Sequence, residues 1–154
     1  MQHYQVEPIF KIADISDTEI LVELIREFCE VDGHRFDECA RRKALEKSLN
    51  DDTLVRVWLI QHGGEAKGYI FVALSYSLEY GGRYALIDEL YIRESDRRQG
   101  IGKKSIEYIE KFCRTLEIQT VHLEVKRKNI AAQSFYRQMG FKDQERYLMT
   151  KWMD

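Results

Sequence analysis

The strongest constraint in this chain is a change of periodicity near its middle. Residues 85–92 read as a strand after the Gly81-Gly82 turn, apolar residues recur at helical spacing over 100–116, and they alternate over 121–125. Ile106, Ile109, Cys113 and Leu116 share one face of the predicted helix. Strand, helix and strand in that order require the two strands to run parallel, because a helical crossover returns the chain to the end it started from.

Other segments fill in around this unit. Val55, Val57 and Leu59 alternate with Arg56, Trp58 and Ile60, His62-Gly63-Gly64-Glu65 reads as a hairpin turn, 68–74 reads as a strand, and Gly81-Gly82 marks a second turn. These predict an antiparallel meander. Ser16-Asp17-Thr18-Glu19 reads as a capping box ahead of Leu21, Leu24, Ile25 and Phe28, so a first helix runs to about Cys29. After the polar stretch 32–37, Asp37 reads as the cap of a second helix carrying Ala40, Ala44, Leu45 and Leu49. Ala132, Phe135, Tyr136 and Met139 predict a helix ended by Gly140, and the alternation of 146–152 predicts a closing strand. The expected order is two helices, three strands, helix, strand, helix, strand. The expected fold class is α/β: one domain over 1–154, a mixed twisted sheet with helices on both faces, splayed between Tyr91 and the strand at 121–126.

Composition removes several function classes. At 154 residues and 44% hydrophobic, the chain has the size and core of one ordinary domain. Its 24 Lys and Arg against 26 Asp and Glu give no general pull toward nucleic acid or an anionic membrane. No apolar run nears the roughly 20 residues of a membrane span. The first residues carry no signal-like apolar stretch. Cys29, Cys39 and Cys113 are odd in number and form no C-x-x-C pair, which predicts neither a disulfide framework nor a zinc site and fits a reducing cytoplasm. Cys113 reads as a small apolar filler. His3 and His62 read as terminus and turn residues, without the spacing of a metal site.

The chemistry concentrates in two segments. In the first, a strand runs through a short loop into a helix by way of Arg97-x-x-Gly100-x-Gly102. Glycines there let backbone approach a ligand, and the free N–H groups of the first helical turn point at it. With Arg97, Arg98, Lys103 and Lys104 around it, the turn predicts an anion cradle of pyrophosphate size. Position 105 is Ser, so the dinucleotide fingerprint is not met; Arg97 and Lys104 stand where a Walker A loop needs Gly and Ser or Thr. The second segment is 129–141, where Asn129 can cap a helix and Tyr136, if buried, requires a partner for its hydroxyl.

Together, R-x-x-G-x-G at 97–102 and N-x-x-A-x-x-F-Y-x-x-M-G-F at 129–141 resemble the two signature blocks of the GNAT superfamily of N-acetyltransferases. A more local likeness, through 75–83 and Asp88-Glu89-Leu90-Tyr91, is to small-amine, diamine-acetyltransferase-like members. The resemblance implies acetyl-CoA as cosubstrate and no metal. It implies that Leu90, Tyr91 and Ile92 pair backbone with the pantetheine arm. Arg97, Arg98, Gln99, Gly100, Ile101, Gly102 and Lys103 would hold the pyrophosphate. Asn129 and Ala132 complete the cofactor contacts, and Tyr136 lies near the CoA sulfur and protonates the leaving thiolate. A homodimer is the family habit.

An aliphatic amine has a pKa near ~10.4, so it arrives protonated and must lose a proton before attack. Asp88 and Glu89 point to opposite faces of their strand, so only one can face the cleft. Alignment with family members bearing a glutamate there favours Glu89 as base, directly or through water. His34, beside Asp32, Arg35 and Asp37, lies in a connection that borders the acceptor pocket in the family. His122 and Glu124 share a strand face. Glu79, Asp88 and Glu89 would attract a small cationic amine. The competing readings are a protein N-acetyltransferase, a non-catalytic acyl-CoA-binding or sensing module, and a nucleotide-binding protein using the glycine turn.

Overall fold

The computed structural model describes residues 5–154. His3 lies outside them. The residues divide into two compact units, one up to Glu124 and one over Val125–Asp154.

The first unit is built on a five-stranded sheet in the order β1-β2-β3-β4-β5. The strands are β1 (Ile9–Ile12), β2 (Val55–His62), β3 (Glu65–Ser77), β4 (Gly82–Ile92) and β5 (Val121–Leu123). The first four pair antiparallel, and β4 pairs parallel with β5. The parallel pair is the one the strand–helix–strand pattern demands, with α3 (Ile101–Thr115) as the crossover.

Each face of the sheet carries its own apolar set. Val57, Leu59, Tyr69 and Tyr91 face α1 (Thr18–Asp32) and α2 (Glu38–Asn50), packing with Leu21, Leu24, Ile25, Cys29 and Leu45. On the other face Trp58 lies edge-on to Tyr108 and Phe112 of α3. The inward residues of α3, Ile106, Ile109 and Cys113, are fully buried, as their helical spacing predicts.

A register shift between Phe71 and Val72 shapes β4: Phe71 pairs with Glu89 and Val72 with Ile87, leaving Asp88 as an extra, exposed residue. This β-bulge resets the alternation. Ala85 and Ile87 lie on the α3 face, whereas Glu89 and Tyr91 lie on the α1/α2 face.

Four expectations are corrected. A strand, β1, precedes the helices; with four residues and exposed ends, Ile9 and Ile12, it shows too little alternation to be read. The capping box belongs to Asp14 and Asp17, not Ser16 and Glu19: Asp14 Oδ1 accepts from Ser16 N–H at 2.8 Å and Asp17 Oδ2 from Asp14 N–H at 2.9 Å. Extended backbone at Asp14 frees its side chain to cap a short 3-10 turn over Ile15–Asp17, on which α1 is stacked. The strand at 121 ends at Leu123. Finally, 146–152 forms no strand and has no ladder neighbour among the described residues, and β-prone residues make a strand only with one.

The second unit contains α4 (Ile130–Gln138). Asn129 caps it, accepting from Ala132 N–H at 3.1 Å. Gly140, with φ of 94°, takes the left-handed position past its end, as expected.

Candidate active site

The β4–β5 ladder stops early. Ala85, Leu86 and Ile87 pair with Val121, His122 and Leu123, and among the described residues no strand continues along that edge of β4 from Asp88 to Ile92. Leu90, Tyr91 and Ile92 therefore offer a backbone edge that is paired on the β3 side alone. Close approach of β3 sets this stretch: a Cβ on Gly68 would stand 2.1 Å from Tyr91 O, so only glycine fits.

The chain then turns through a 3-10 segment, Glu94–Asp96, into α3. Arg98 (φ 63°) and Gly100 (φ 77°) are both left-handed. A left-handed residue followed by a right-handed helical one points successive N–H groups to one side, a concavity that suits anions. No side chain caps α3, so the N–H groups of Ile101, Gly102 and Lys103 keep their donors, with the helix dipole behind them.

The basic residues here divide by partner. Arg97 Nε donates to Ile92 O at 2.8 Å and its guanidinium lies over Tyr91, so it braces the turn against the end of β4. Lys104 pairs with Glu7 at 2.6 Å and Lys103 sits 3.8 Å from Glu107. Gln99 O accepts from Gln5 Nε2. Among the described residues Arg98 is exposed and has no ion-pair partner.

His62 corrects the reading of a mere turn residue. Its ring joins Asp96 Oδ1 at 2.9 Å to Val6 O at 3.2 Å, tying the β2–β3 hairpin to the segment that presents the turn. Burial works against the Asp96 carboxylate, but hydrogen bonds from His62 and Ser95 and the charge of Lys67 outweigh it and hold it below the usual carboxylate range.

Glu89 is the best-organised of the predicted acceptor-side groups. Its side chain is 11% exposed, its Oε2 accepts from Arg41 Nη1 at 2.9 Å, and its Oε1 accepts from the Tyr69 hydroxyl at 2.9 Å. Burial pushes the Tyr69 phenol far up, reinforced by the Glu89 charge, so Tyr69 is a permanent donor. Burial also disfavours the Arg41 cation, but the bond to Glu89 and its charge prevail and hold the guanidinium above its ordinary value. Neither partner was read from the sequence. Tyr69 had a signal, since a tyrosine inside an apolar strand needs a partner for its hydroxyl. Arg41 had none, being 48 residues from Glu89.

Other predicted residues scatter. His34 pairs with Asp32 and lies by Phe28, whose ring contacts Tyr69 and Tyr91, so it borders the Glu89 cluster. Glu79 is exposed in the β3–β4 turn, about 20 Å along the ladder from Glu89 at ~3.3 Å per residue. His122 lies with Tyr80 and Tyr84 in an aromatic group, its Nε2 buried without a hydrogen-bond partner among the described residues. Glu124 is exposed.

In the second unit, Tyr136 packs between Phe135 and Phe141, and burial raises its phenol, which keeps it protonated. Cys113 is no nucleophile: burial pushes its thiol up to about 11. Among the described residues, no group of three His, Cys, Asp or Glu is placed to hold a metal ion, and no helix is long and apolar enough to cross a membrane.

Comparison with known proteins accords with this geometry. An integron cassette protein from the mobile metagenome of Cole Harbour Salt Marsh superposes with a TM-score of 0.83 at 28% identity, over 94% of this chain and 90% of that one. The aminoglycoside N-acetyltransferase AAC(6')-Iy, solved with CoA, shares the fold, with a TM-score of 0.83 at 14% identity over 98% of both chains. The chloroplastic GCN5-related N-acetyltransferase 6 of Arabidopsis thaliana is 30% identical over 80 residues, 52% of this chain and 27% of that protein, so the match spans about a quarter of its length. The model of the Acetyltransferase (GNAT) family matches residues 19–141. A match over most of the chain, through both signature blocks, makes this protein a member of the GNAT acetyltransferase family.

Proposed function

We propose that this protein moves an acetyl group from acetyl-CoA directly to a primary amine, with a small cationic molecule as acceptor. One observation carries the reading: the open β4 edge from Asp88 to Ile92 runs straight into an uncapped, left-handed turn at the start of α3. An extended amide chain ending in a pyrophosphate fits that sequence of donors better than a lone carboxylate or a nucleobase does. Acetyl-CoA supplies the acetyl group as a thioester. Leu90, Tyr91 and Ile92 hold the pantetheine amides. Arg98, Gln99, Gly100, Ile101, Gly102 and Lys103 hold the pyrophosphate, with Arg97 bracing the turn. For Asn129 and Ala132 the resemblance to the family alone supports cofactor contacts.

Glu89 takes the proton from the acceptor nitrogen, directly or through water, and Tyr136 Oη gives one to the departing sulfur. Arg41 and Tyr69 hold the Glu89 carboxylate in a single orientation, and His34 borders the acceptor. A cationic acceptor suits the surrounding carboxylates, Asp32, Asp88 and Glu89; Glu79 is set aside by its distance. The fold neighbour named as an aminoglycoside N-acetyltransferase points to the same acceptor class. A cytoplasmic setting fits the three free cysteines.

A second reading, an acyl-CoA-binding module without turnover, is favoured by the double occupation of Glu89. Titration with acetyl-CoA, CoA and ATP, followed by a thiol-release screen over polyamines, aminoglycosides, basic amino acids and lysine peptides, separates the readings. Preference for ATP overturns both, tight CoA binding without turnover of any amine favours the second, and turnover of peptides alone makes the acceptor a protein.

A further inference from the structure

The pairing of Glu89 with Arg41 decides what kind of molecule can sit beside them. Glu89 stands at the bulge where the open edge of β4 begins, and its charge is met at 2.9 Å by the guanidinium of Arg41. A bare ammonium placed there is drawn by one member and repelled by the other, so the pair selects weakly for a simple amine. What the pair presents is a dipole. Its complement is a molecule that carries a positive and a negative group side by side.

Arg41 is equipped for the negative group. One of its five N–H donors goes to Glu89, and among the described residues no side chain or carbonyl accepts from the others. Its side chain is 32% exposed against 11% for Glu89, and none of its nitrogens is stranded in the interior, so the spare donors meet solvent. Arg41 also stands in the first turn of α2, where a cation gains nothing from the helix dipole. Its neighbour Arg42 is engaged by Glu19 and Glu38 instead. Glu89 keeps room for the positive group: Arg41 and Tyr69 make one bond to each oxygen, and a carboxylate accepts about four.

In an α-amino acid, two bonds of ~1.5 Å meeting at ~111° set the nitrogen and the carboxyl carbon ~2.5 Å apart. Its two charges are spaced like those of the protein pair, and the two dipoles fit head to tail. A planar guanidinium is the side chain best shaped to grip a carboxylate. We propose that the acceptor is an α-amino acid, held by its carboxylate on Arg41 and acetylated on its α-nitrogen at Glu89. The inference rests on the acetyl-transfer reading and narrows its acceptor. The small cationic molecule becomes a basic amino acid, whose side-chain charge has Asp32 and Asp88 to meet. The α-ammonium and the thioester give an amide, the CoA thiol and one proton, the C–N bond forming as the C–S bond breaks.

Thiol release by the intact protein tests it with lysine, lysine amide and cadaverine, which carry the carboxylate, an uncharged amide and neither group. Lysine is expected to exceed both in kcat/KM by ~10–100-fold, the worth of a hydrogen bond between charged groups. Its product is expected to carry the acetyl group on the α-nitrogen. Arg41→Gln is expected to abolish the preference for lysine over cadaverine, which a loss of folding alone would leave intact. Arg41→Lys, which keeps the charge beside Glu89 without the planar fork, is expected to fall between the two. Lysine amide or cadaverine turned over as well as lysine, acetylation of the side-chain nitrogen, or a preference that survives Arg41→Gln overturns the proposal. Calorimetric titration of lysine into the CoA complex reads the site without turnover. Binding that Arg41→Gln abolishes, with no amine turned over, supports the site and overturns the transfer reading. Turnover of simple amines without lysine binding overturns the site and leaves the transfer reading standing.

Discussion

Arg41 Nη1 lies 2.9 Å from Glu89 Oε2, an ion pair between the first turn of α2 and the bulged stretch of β4. Glu89 is nearly buried and Arg41 about a third exposed. Removing one member leaves the other short of a partner in a poorly hydrated place, which costs ~3–5 kcal/mol when burial is complete. Arg41→Gln is expected to lower stability by about 1–3 kcal/mol, read from the urea midpoint at pH 7. A midpoint equal to that of the parent would mean that the pair does not hold in solution.

Glu89→Gln keeps the side chain's size and removes its proton affinity. Loss of activity is expected to be greatest at low pH and to recover toward the amine pKa of ~10.4, where free amine no longer needs a base. The check is a kcat/KM profile from pH 6 to 10 with the best acceptor. A uniform loss across that range would reassign Glu89 to positioning.

Tyr136→Phe retains the ring between Phe135 and Phe141, so folding is expected to survive. A general acid contributes roughly 10²–10⁴-fold, and kcat is expected to fall toward that range while acetyl-CoA affinity holds. An unchanged kcat would leave the tyrosine a packing residue.

Gly68→Ala introduces a methyl group 2.1 Å from Tyr91 O, and backbone cannot yield as a side-chain tip would. Overpacking of this kind costs typically ~1–3 kcal/mol. The displaced strand is the one that carries Leu90, Tyr91 and Ile92, so CoA binding is expected to weaken at least several-fold by titration, while kcat at saturation changes less. Parental affinity would show that the β4 edge does not hold the cofactor.

Asp96 supplies a pH test of stability. Its folded carboxyl is held below the usual range, mainly by His62 and Ser95 against the cost of burial. The folded state therefore binds fewer protons than the unfolded one between the two values. The stabilisation is complete above the ordinary aspartate value of ~3.9 and is lost as pH falls through the lower, folded value. Asp96→Asn is expected to flatten the denaturation midpoint between pH 5 and 2. An acid limb as steep as the parent's would locate the acid sensitivity in other carboxylates.

The crossover, the glycine turn and the faces of α1 and α3 were legible because each depends on neighbours within a few residues. Ile106, Ile109 and Cys113 declare a helix face wherever they stand. Tyr69 and Arg41, 20 and 48 residues from Glu89, meet it only through the sheet register and the packing of α2. The segment at 146–152 shows the limit from the other side: its alternation predicted a strand that does not form, because a ladder needs a second strand and pairing is not a local property. Asp88 was read through as one more step of alternation, because an unpaired residue looks like any other until its partner strand is seen.

That extra residue makes β4 a strand with two phases. Before Asp88 its odd-numbered side chains serve the apolar layer under α3; after it they serve the layer under α1 and α2. Deleting Asp88 alone would make Ile87 and Glu89 neighbours, still opposite Val72 and Phe71, so ordinary alternation would keep Ile87 under α3 and Glu89 and Tyr91 under α1 and α2. What the extra residue supplies is therefore the local bend of the strand, not the assignment of faces beyond it. A chain without Asp88 should keep the Arg41–Glu89 pair and change the course of β4 where its edge is left open.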